Sequence, residues 1–231
     1  MGKTAVLVPC YKRPEYTKLS LQALEEAQEY HDVIFCVWND DGTDETQELI
    51  DKFDPIGAQV ITPRSNEPLG LRNIIINFFE DPCNATPDLK YIAKMDNDCL
   101  VPKNWLSDMI ANLEESKLDI LSPNVVPSNA AFKVGVGDGV VREASYVGGL
   151  WCMRSSLIKD MSFERFSPNG ISGAFNIIKQ IIAEKEARCG WLTTVTVQDI
   201  GHWSGAHPLH IKSAEHEEYS ATVGRPIAWN L

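Results

Sequence analysis

Tyr91-Ile92-Ala93-Lys94-Met95-Asp96-Asn97-Asp98-Cys99-Leu100 decides how the rest of the chain is read. It opens as a short apolar run suited to a buried strand and stops abruptly at Asp96-Asn97-Asp98. On a strand, residues i and i+2 share a face, so Asp96 and Asp98 are expected side by side at its carboxyl end. In open α/β sheets that end is where ligands bind. Two adjacent carboxylates repel unless a cation lies between them, and Mg²⁺ or Mn²⁺ prefers such oxygen ligands. The alternative is a plain turn, for which Asp and Asn are ordinary formers.

Working back from this stretch, Thr4 to Pro9 reads as a strand buried on both faces, followed by the loop Cys10-Tyr11-Lys12-Arg13-Pro14 and a helix from Glu15 to Tyr30. Asp32 to Trp38 is a second buried strand that runs into Asn39-Asp40-Asp41-Gly42-Thr43-Asp44. A helix over Glu45 to Phe53, a strand over Gln59 to Thr62 and a helix over Leu71 to Phe79 complete a β-α-β-α-β-α-β alternation. That order predicts an α/β layered domain with a mostly parallel sheet. The loop after the first strand has no Gly-x-Gly-x-x-Gly, which argues against a dinucleotide-binding enzyme, and no Walker A loop is present.

Working forward, Trp105 to Glu115 reads as a helix and Asp119 to Ser122 as a short strand. Pro123 to Glu143 reads as a long loop or hairpin. Ala144 to Arg154, with Gly148-Gly149-Leu150-Trp151, reads as one strand, Gly173 to Arg188 as a helix and Thr193 to Val197 as the last strand. A final helix is expected over Ala214 to Thr222.

The 231 residues suffice for one large domain, and 44% hydrophobic with 23% charged residues is ordinary for a globular protein. The longest apolar runs are strand-length, too short to span a bilayer, and the first strand begins too early for a signal peptide. Six cysteines occur singly, several in apolar runs, which fits free thiols in a reducing cytoplasm. A net charge of −11 works against loose binding to nucleic acid or anionic membranes, without forbidding a nucleic-acid acceptor held by a local patch.

In order and spacing these motifs resemble the GT-A glycosyltransferases, especially the large family 2. They are Pro9-Cys10-Tyr11-Lys12-Arg13, Asp40-Asp41-Gly42-Thr43-Asp44, then Asn66, Gly70, Arg72 and Asn73, then Asp96-x-Asp98 with Pro102, Trp105 and Leu106 behind. The resemblance implies an α/β, Rossmann-like GT-A domain over 1–205, with a nucleotide-sugar half (1–100), an acceptor half (101–205) and a tail (206–231) packing near the site. It implies a metal-dependent transfer of a sugar from a nucleotide-diphosphate sugar, a UDP-sugar being the expected donor, to an acceptor hydroxyl.

Residue by residue, Pro9 and Tyr11 would line the base pocket and Arg13 would lie on the nucleotide side. Asp40 or Asp41 would accept the base imide N–H, the other being a helix N-terminal acid. Arg72 would face diphosphate or sugar, its alternative being a solvated arginine, and Asn73 lies beside it. Asp98 would ligate Mn²⁺ or Mg²⁺, with Asp96 on sugar or ribose hydroxyls or in the metal's shell. His202 would be a third ligand; a zinc site of His202, His207, His210 and His216, or plain surface histidines, are the alternatives. Gly149 and Trp151 would lie on the acceptor side, Trp151 stacking there or filling the core.

Inverting members of the family carry an acidic base at the start of the helix after that strand. Here Phe166 to Ala174 contains no carboxylate, and Glu164 and Asp160 are the nearest candidates. The gap leans the reading towards retention. It also keeps open a non-catalytic nucleotide-sugar-binding module, while the loop after the first strand lacks the glycine-rich signature of a sugar-nucleotide pyrophosphorylase.

Overall fold

The computed structural model describes residues 2–40, 44–126, 140–163 and 174–201. Among these residues, ten strands and five α-helices follow one another: β1 (Lys3–Cys10), α1 (Pro14–Ala27), β2 (Val33–Asp40), α2 (Asp44–Ile50), β3 (Gln59–Ile61), β4 (Arg64–Ser65), α3 (Leu71–Phe78), β5 (Leu89–Lys94) and β6 (Cys99–Leu100). Then come α4 (Trp105–Ser116), β7 (Ile120–Val126), β8 (Val141–Ala144), β9 (Trp151–Arg154), α5 (Ala174–Lys185) and β10 (Cys189–Asp199). They form one mixed sheet in the order β3-β2-β1-β5-β9-β7-β10-β6, with β4 on β2 and β8 on β10.

The first half is parallel throughout: β1 pairs in parallel with β2 and β5, and β2 with β3 and β4. This is the alternating β-α order made physical, because parallel neighbours need a crossover between them. β9 enters antiparallel between β5 and β7, and β6 and β8 lie antiparallel to β10.

The continuous apolar run of β1 follows from a sheet covered on both faces. Val6, Val8 and Cys10 join one core cluster with Leu21, Leu24 and Ala27 of α1 and Trp105, Leu106 and Met109 of α4. Ala5 and Leu7 point the other way, to Ile74, Ile75 and Phe78 of α3 and Ile177, Ile178 and Ile181 of α5. Burying Leu21 and Leu24 contributes about 1.5–3 kcal/mol each. Thr17 and Ser20, on the same helix, are also fully buried, and they face the turn after β5.

Several boundaries differ from the sequence reading: β7 runs on to Val126 and β8 begins at Val141, both inside the Pro123 to Glu143 stretch expected as a loop or hairpin, and α1 stops at Ala27 rather than Tyr30. The single strand expected over Ala144 to Arg154 is two strands, β8 and β9, which pair with different partners. Between them a Cβ on Gly148 would lie 2.9 Å from Trp191 Cη2 and 3.2 Å from Ser122 Oγ, so the chain passes under Trp191 where only glycine fits. The last strand is longer than Thr193 to Val197 because Cys189 to Leu192 pair with both β7 and β8. Among the described residues no helix is long and apolar enough to cross a membrane. The tail over 206–231, with its expected helix, lies outside the described residues.

Candidate active site

β5 ends at Lys94, so Asp96-Asn97-Asp98 sits in the turn between β5 and β6. The carboxylates are therefore neighbours by a turn rather than by strand alternation, a correction to the first reading. Helix α1 holds that turn: Asn97 Nδ2 donates to Thr17 Oγ1 (2.8 Å), and Ser20 Oγ donates to the carbonyls of Cys99 (2.9 Å) and Asp96 (3.3 Å). Met95 N–H continues the ladder onto Leu7 O at 2.9 Å. With Asn97 turned inward, the two acids on either side are left for the site.

Each acid has its own cation. Arg13 Nη1 donates to Asp98 Oδ2 at 3.0 Å. Lys94 Nζ donates to Asp96 Oδ1 and, at 2.9 Å, to Gly149 O. Arg13 itself is a left-handed N-cap (φ 61°) after Lys12 (φ 49°), with its guanidinium over the Tyr16 ring at 4.2 Å. Two successive non-glycine residues in that region cost about 1–2 kcal/mol each, a strain that the salt bridge and ring contact help to hold.

A third carboxylate arrives from the far end of the chain. β10 pairs with β6 so that Asp199 stands opposite Cys99, and Ile200 N–H donates to Asp98 O at 2.8 Å. Ligand atoms of Asp98, Cys99 and Asp199 lie within 4.8 Å of one another. Asp199 Oδ1 is buried with no hydrogen-bond partner among the described residues. Burial, with Asp98 and Asp96 adding to it, pushes the Asp199 carboxyl up to about 7. Burial and the neighbouring acids push the Cys99 thiol well above its ordinary value, so it stays protonated and offers no thiolate. Burial also pushes Asp96 upward, against the pull of Lys94.

The donor set that remains is oxygen, from Asp98 and Asp199, with one buried oxygen unsatisfied. That fits a hard divalent cation such as Mg²⁺ or Mn²⁺. Asp199 escaped the sequence reading. Its one signal was an acid at the end of the last apolar strand, and the pairing that brings it to Asp98 is long-range.

Gly201 packs against this cluster. A Cβ there would lie 2.1 Å from Asp98 Oδ2 and 2.5 Å from Arg13 Nη2, both ends of flexible side chains. Gly201→Ala is therefore expected to push the Arg13–Asp98 pair apart while leaving the fold intact. Mn²⁺ affinity, read by titration, should fall on the order of tenfold with little change in Tm; unchanged affinity would contradict this placement.

The other candidate residues divide. Pro9 is buried on β1 beside Trp38, and Tyr11 is half-buried in the following loop. Asp40 is buried and accepts hydrogen bonds from the backbone N–H of Leu69 (2.7 Å) and Gly70 (3.0 Å), at the start of α3. It is thus a helix N-terminal acid, of α3 and not of the helix that follows it in sequence. Arg72 is 7% exposed, which corrects the solvated-arginine alternative, and its Nη1 donates to Asn73 Oδ1 at 3.0 Å. Asn73 in turn donates to Leu69 O.

Gly149 lies at the site, where a Cβ would stand 3.5 Å from Asp96 Oδ2. Trp151 does not: it is 2% exposed and packs in the core, 6.1 Å from Phe79 between ring centroids, so the core alternative holds and the stacking one does not. Asp160 is exposed beyond β9, in a left-handed conformation (φ 61°). Asp41, Glu164 and His202, with the histidines of the zinc alternative, lie outside the described residues.

A parallel nucleotide-binding-like half carrying an Asp-x-Asp turn, joined to a mixed half that returns a carboxylate to it, is the GT-A, Rossmann-like architecture. Residues 5–138, more than half of the chain, match Glycosyl transferase family 2, and the chain belongs to that family.

Solved structures agree on the fold. TarS of S. aureus is 18% identical with a TM-score of 0.65, over 85% of this chain and 36% of that one. TarS 1-349 of S. aureus in complex with UDP-GlcNAc is 17% identical with a TM-score of 0.59, over 85% and 58%. The mannosyltransferase PcManGT from Pyrobaculum calidifontis in complex with GDP-Man and Mn²⁺ is 16% identical with a TM-score of 0.63, over 88% and 58%. The chain thus spans less than two thirds of each of these. A comparison with curated protein sequences finds no match.

Proposed function

We propose that this chain is a metal-dependent glycosyltransferase that moves a sugar from a nucleotide-diphosphate sugar, a UDP-sugar foremost, to an acceptor hydroxyl with retention of configuration. The observation that carries the reading is the meeting of Asp98 and Asp199 at the turn after β5, with Asp199 Oδ1 buried and without a hydrogen-bond partner among the described residues. Related folds hold UDP-GlcNAc, UDP, and GDP-Man with Mn²⁺, which supports the donor class and the ion.

Mn²⁺ or Mg²⁺, held by Asp98 and Asp199 with His202 as a third ligand, would supply Lewis-acid neutralisation of the diphosphate charge. The chain's own residues do the rest. Pro9 and Tyr11 line the base pocket, and Asp41 accepts the base imide N–H, since Asp40 is committed to α3. Arg13 holds Asp98 in place, and Arg72, beside Asn73, faces the nucleotide. Asp96, with one oxygen on Lys94, offers the other to sugar hydroxyls. Gly149 lets the acceptor approach the backbone. The halves 1–100 and 101–205 would then serve donor and acceptor, with the tail 206–231 packing near the site. The six free, buried cysteines fit a reducing compartment, so the cytoplasm is the proposed location.

Retention follows from what the acceptor side lacks. No carboxylate lies between Phe166 and Ala174 to take the proton. The acceptor oxygen bonds to the anomeric carbon as the bond to the diphosphate breaks, and the acceptor proton passes to the departing diphosphate oxygen on the same face. Proton NMR of the product should show the donor's anomeric configuration, with turnover largely kept in Glu164→Gln and Asp160→Asn. An inverted product, with activity lost in either variant, would show that a base is present after all.

A further inference from the structure

Lys94 closes β5 with a charged side chain that is 1% exposed, whereas the Asp96 side chain it binds keeps 34% of its surface open. A buried ammonium is tolerated only when paired and hydrogen-bonded, and Lys94 has two partners: Asp96 Oδ1 and Gly149 O. The second partner is within reach because β9 runs antiparallel to β5 with Trp151 opposite Lys94, which carries Gly149 just beyond the strand end. The other Asp96 oxygen, Oδ2, lies 3.5 Å from where a Gly149 Cβ would stand. One cation thus ties a carboxylate from the parallel half to a carbonyl from the mixed half, from beneath the site and out of contact with anything bound in it.

We propose that Lys94 is a positioning residue: it locks Asp96 with Oδ2 presented to hydroxyls of the donor sugar and fixes the Gly148–Gly149 turn against it. The proposal rests on the transferase reading. It assigns the Lys94–Asp96–Gly149 link to recognition of the sugar, separate from the Asp98–Asp199 pair and from the base and diphosphate. Without Lys94, Asp96 Oδ1 and Gly149 O would both lose the donor that joins them, and the Asp96 side chain would be free to turn away from Gly149.

The test compares a nucleotide sugar with its bare nucleotide in the full chain with Mn²⁺, by titration calorimetry. The pairs are UDP-GlcNAc against UDP and GDP-mannose against GDP, using whichever pair the wild type binds. In Lys94→Met, which keeps most of the buried stem, the nucleotide sugar should weaken by about tenfold or more and the nucleotide diphosphate by no more than about twofold. Lys94→Arg should recover part of the loss. Gly149→Ala adds a methyl 3.5 Å from Oδ2 without a clash, so it should fold with a wild-type Tm, yet the methyl would crowd a sugar hydroxyl bonded to Oδ2 and should produce the same selective loss.

Equal weakening of both ligands, or none, in Lys94→Met would overturn the proposal. If Lys94→Met does not fold, Gly149→Ala decides, and an unchanged sugar affinity there overturns it. A wild type that binds neither nucleotide removes the transferase reading and this proposal together. Binding by the wild type with an unchanged ratio in the variants removes the proposal alone.

Discussion

Asp98→Asn is expected to lower Mn²⁺ affinity by at least about a hundredfold, since even groups behind a metal's ligands typically account for 10–100-fold. Nucleotide diphosphate affinity in Mn²⁺ should fall with it, to the value the wild type shows in EDTA. The fold should persist, because the amide oxygen of the substituted side chain can still accept from Arg13 where Asp98 Oδ2 does now. Asp199→Asn should lose Mn²⁺ in the same way, but with a second signature. The Asp199 carboxyl is pushed up to about 7 by burial and by Asp98 and Asp96. The native state therefore binds more protons there than the unfolded chain, and stability falls as pH rises from the ordinary carboxylate value towards 7. Above that pH the metal-free Asp199→Asn protein should melt higher than the wild type, a trade of stability for a binding site. A metal-free Tm lowered by Asp199→Asn, with Mn²⁺ binding intact, would assign Asp199 to packing instead.

Asp40→Ala should act on the fold. Asp40 is 1% exposed, and its two oxygens accept from Leu69 N and Gly70 N, tying the end of β2 to the start of α3. Hydrogen bonds to a charged acceptor contribute about 1.5–3 kcal/mol each, and the two N–H groups left behind would be poorly solvated. A loss of roughly 3–5 kcal/mol is expected, which lowers Tm by about 10 °C in a chain of this size. Asp40→Asn, with one acceptor oxygen, should fall between the two. A base reader would behave differently: Asp40→Asn would keep the wild-type Tm and change the preference between uridine and guanosine nucleotides. That pattern would return base recognition to Asp40 and take it from Asp41.

The parallel half was legible because its information is local. β1, β2, β3 and β5 are apolar runs closed by a turn or a cap, and the apolar stripe of α1 follows from spacing alone, whereas the two-residue β4 (Arg64–Ser65) carries no such signal. Asp96 and Asp98 were visible as a pair, yet the route to their proximity was not, since the end of β5 at Lys94 is set by pairing with β1 and β9. The mixed half was read less well for the same reason. Asp199 meets Asp98 only because β10 turns back on β6 from far along the chain, and no local pattern encodes that contact. Lys94 left a signal that went unused: a lysine inside a buried run requires a counter-charge, and the nearest acid two residues on is Asp96. Trp151 was ambiguous by nature, because a tryptophan beside paired glycines suits a sugar platform and a core equally until its burial is known.

If these carboxylates serve metal-dependent transfer from a nucleotide sugar, turnover of the donor must depend on them and on the ion. The wild-type chain would be incubated with UDP- and GDP-sugars and a panel of hydroxyl acceptors, with Mn²⁺ and with EDTA, and nucleoside diphosphate release measured. Release is expected with Mn²⁺ for one nucleotide class, stimulated by an acceptor and abolished by EDTA or Asp98→Asn. Release that is indifferent to EDTA and to Asp98→Asn would contradict a metal-dependent transfer at these carboxylates.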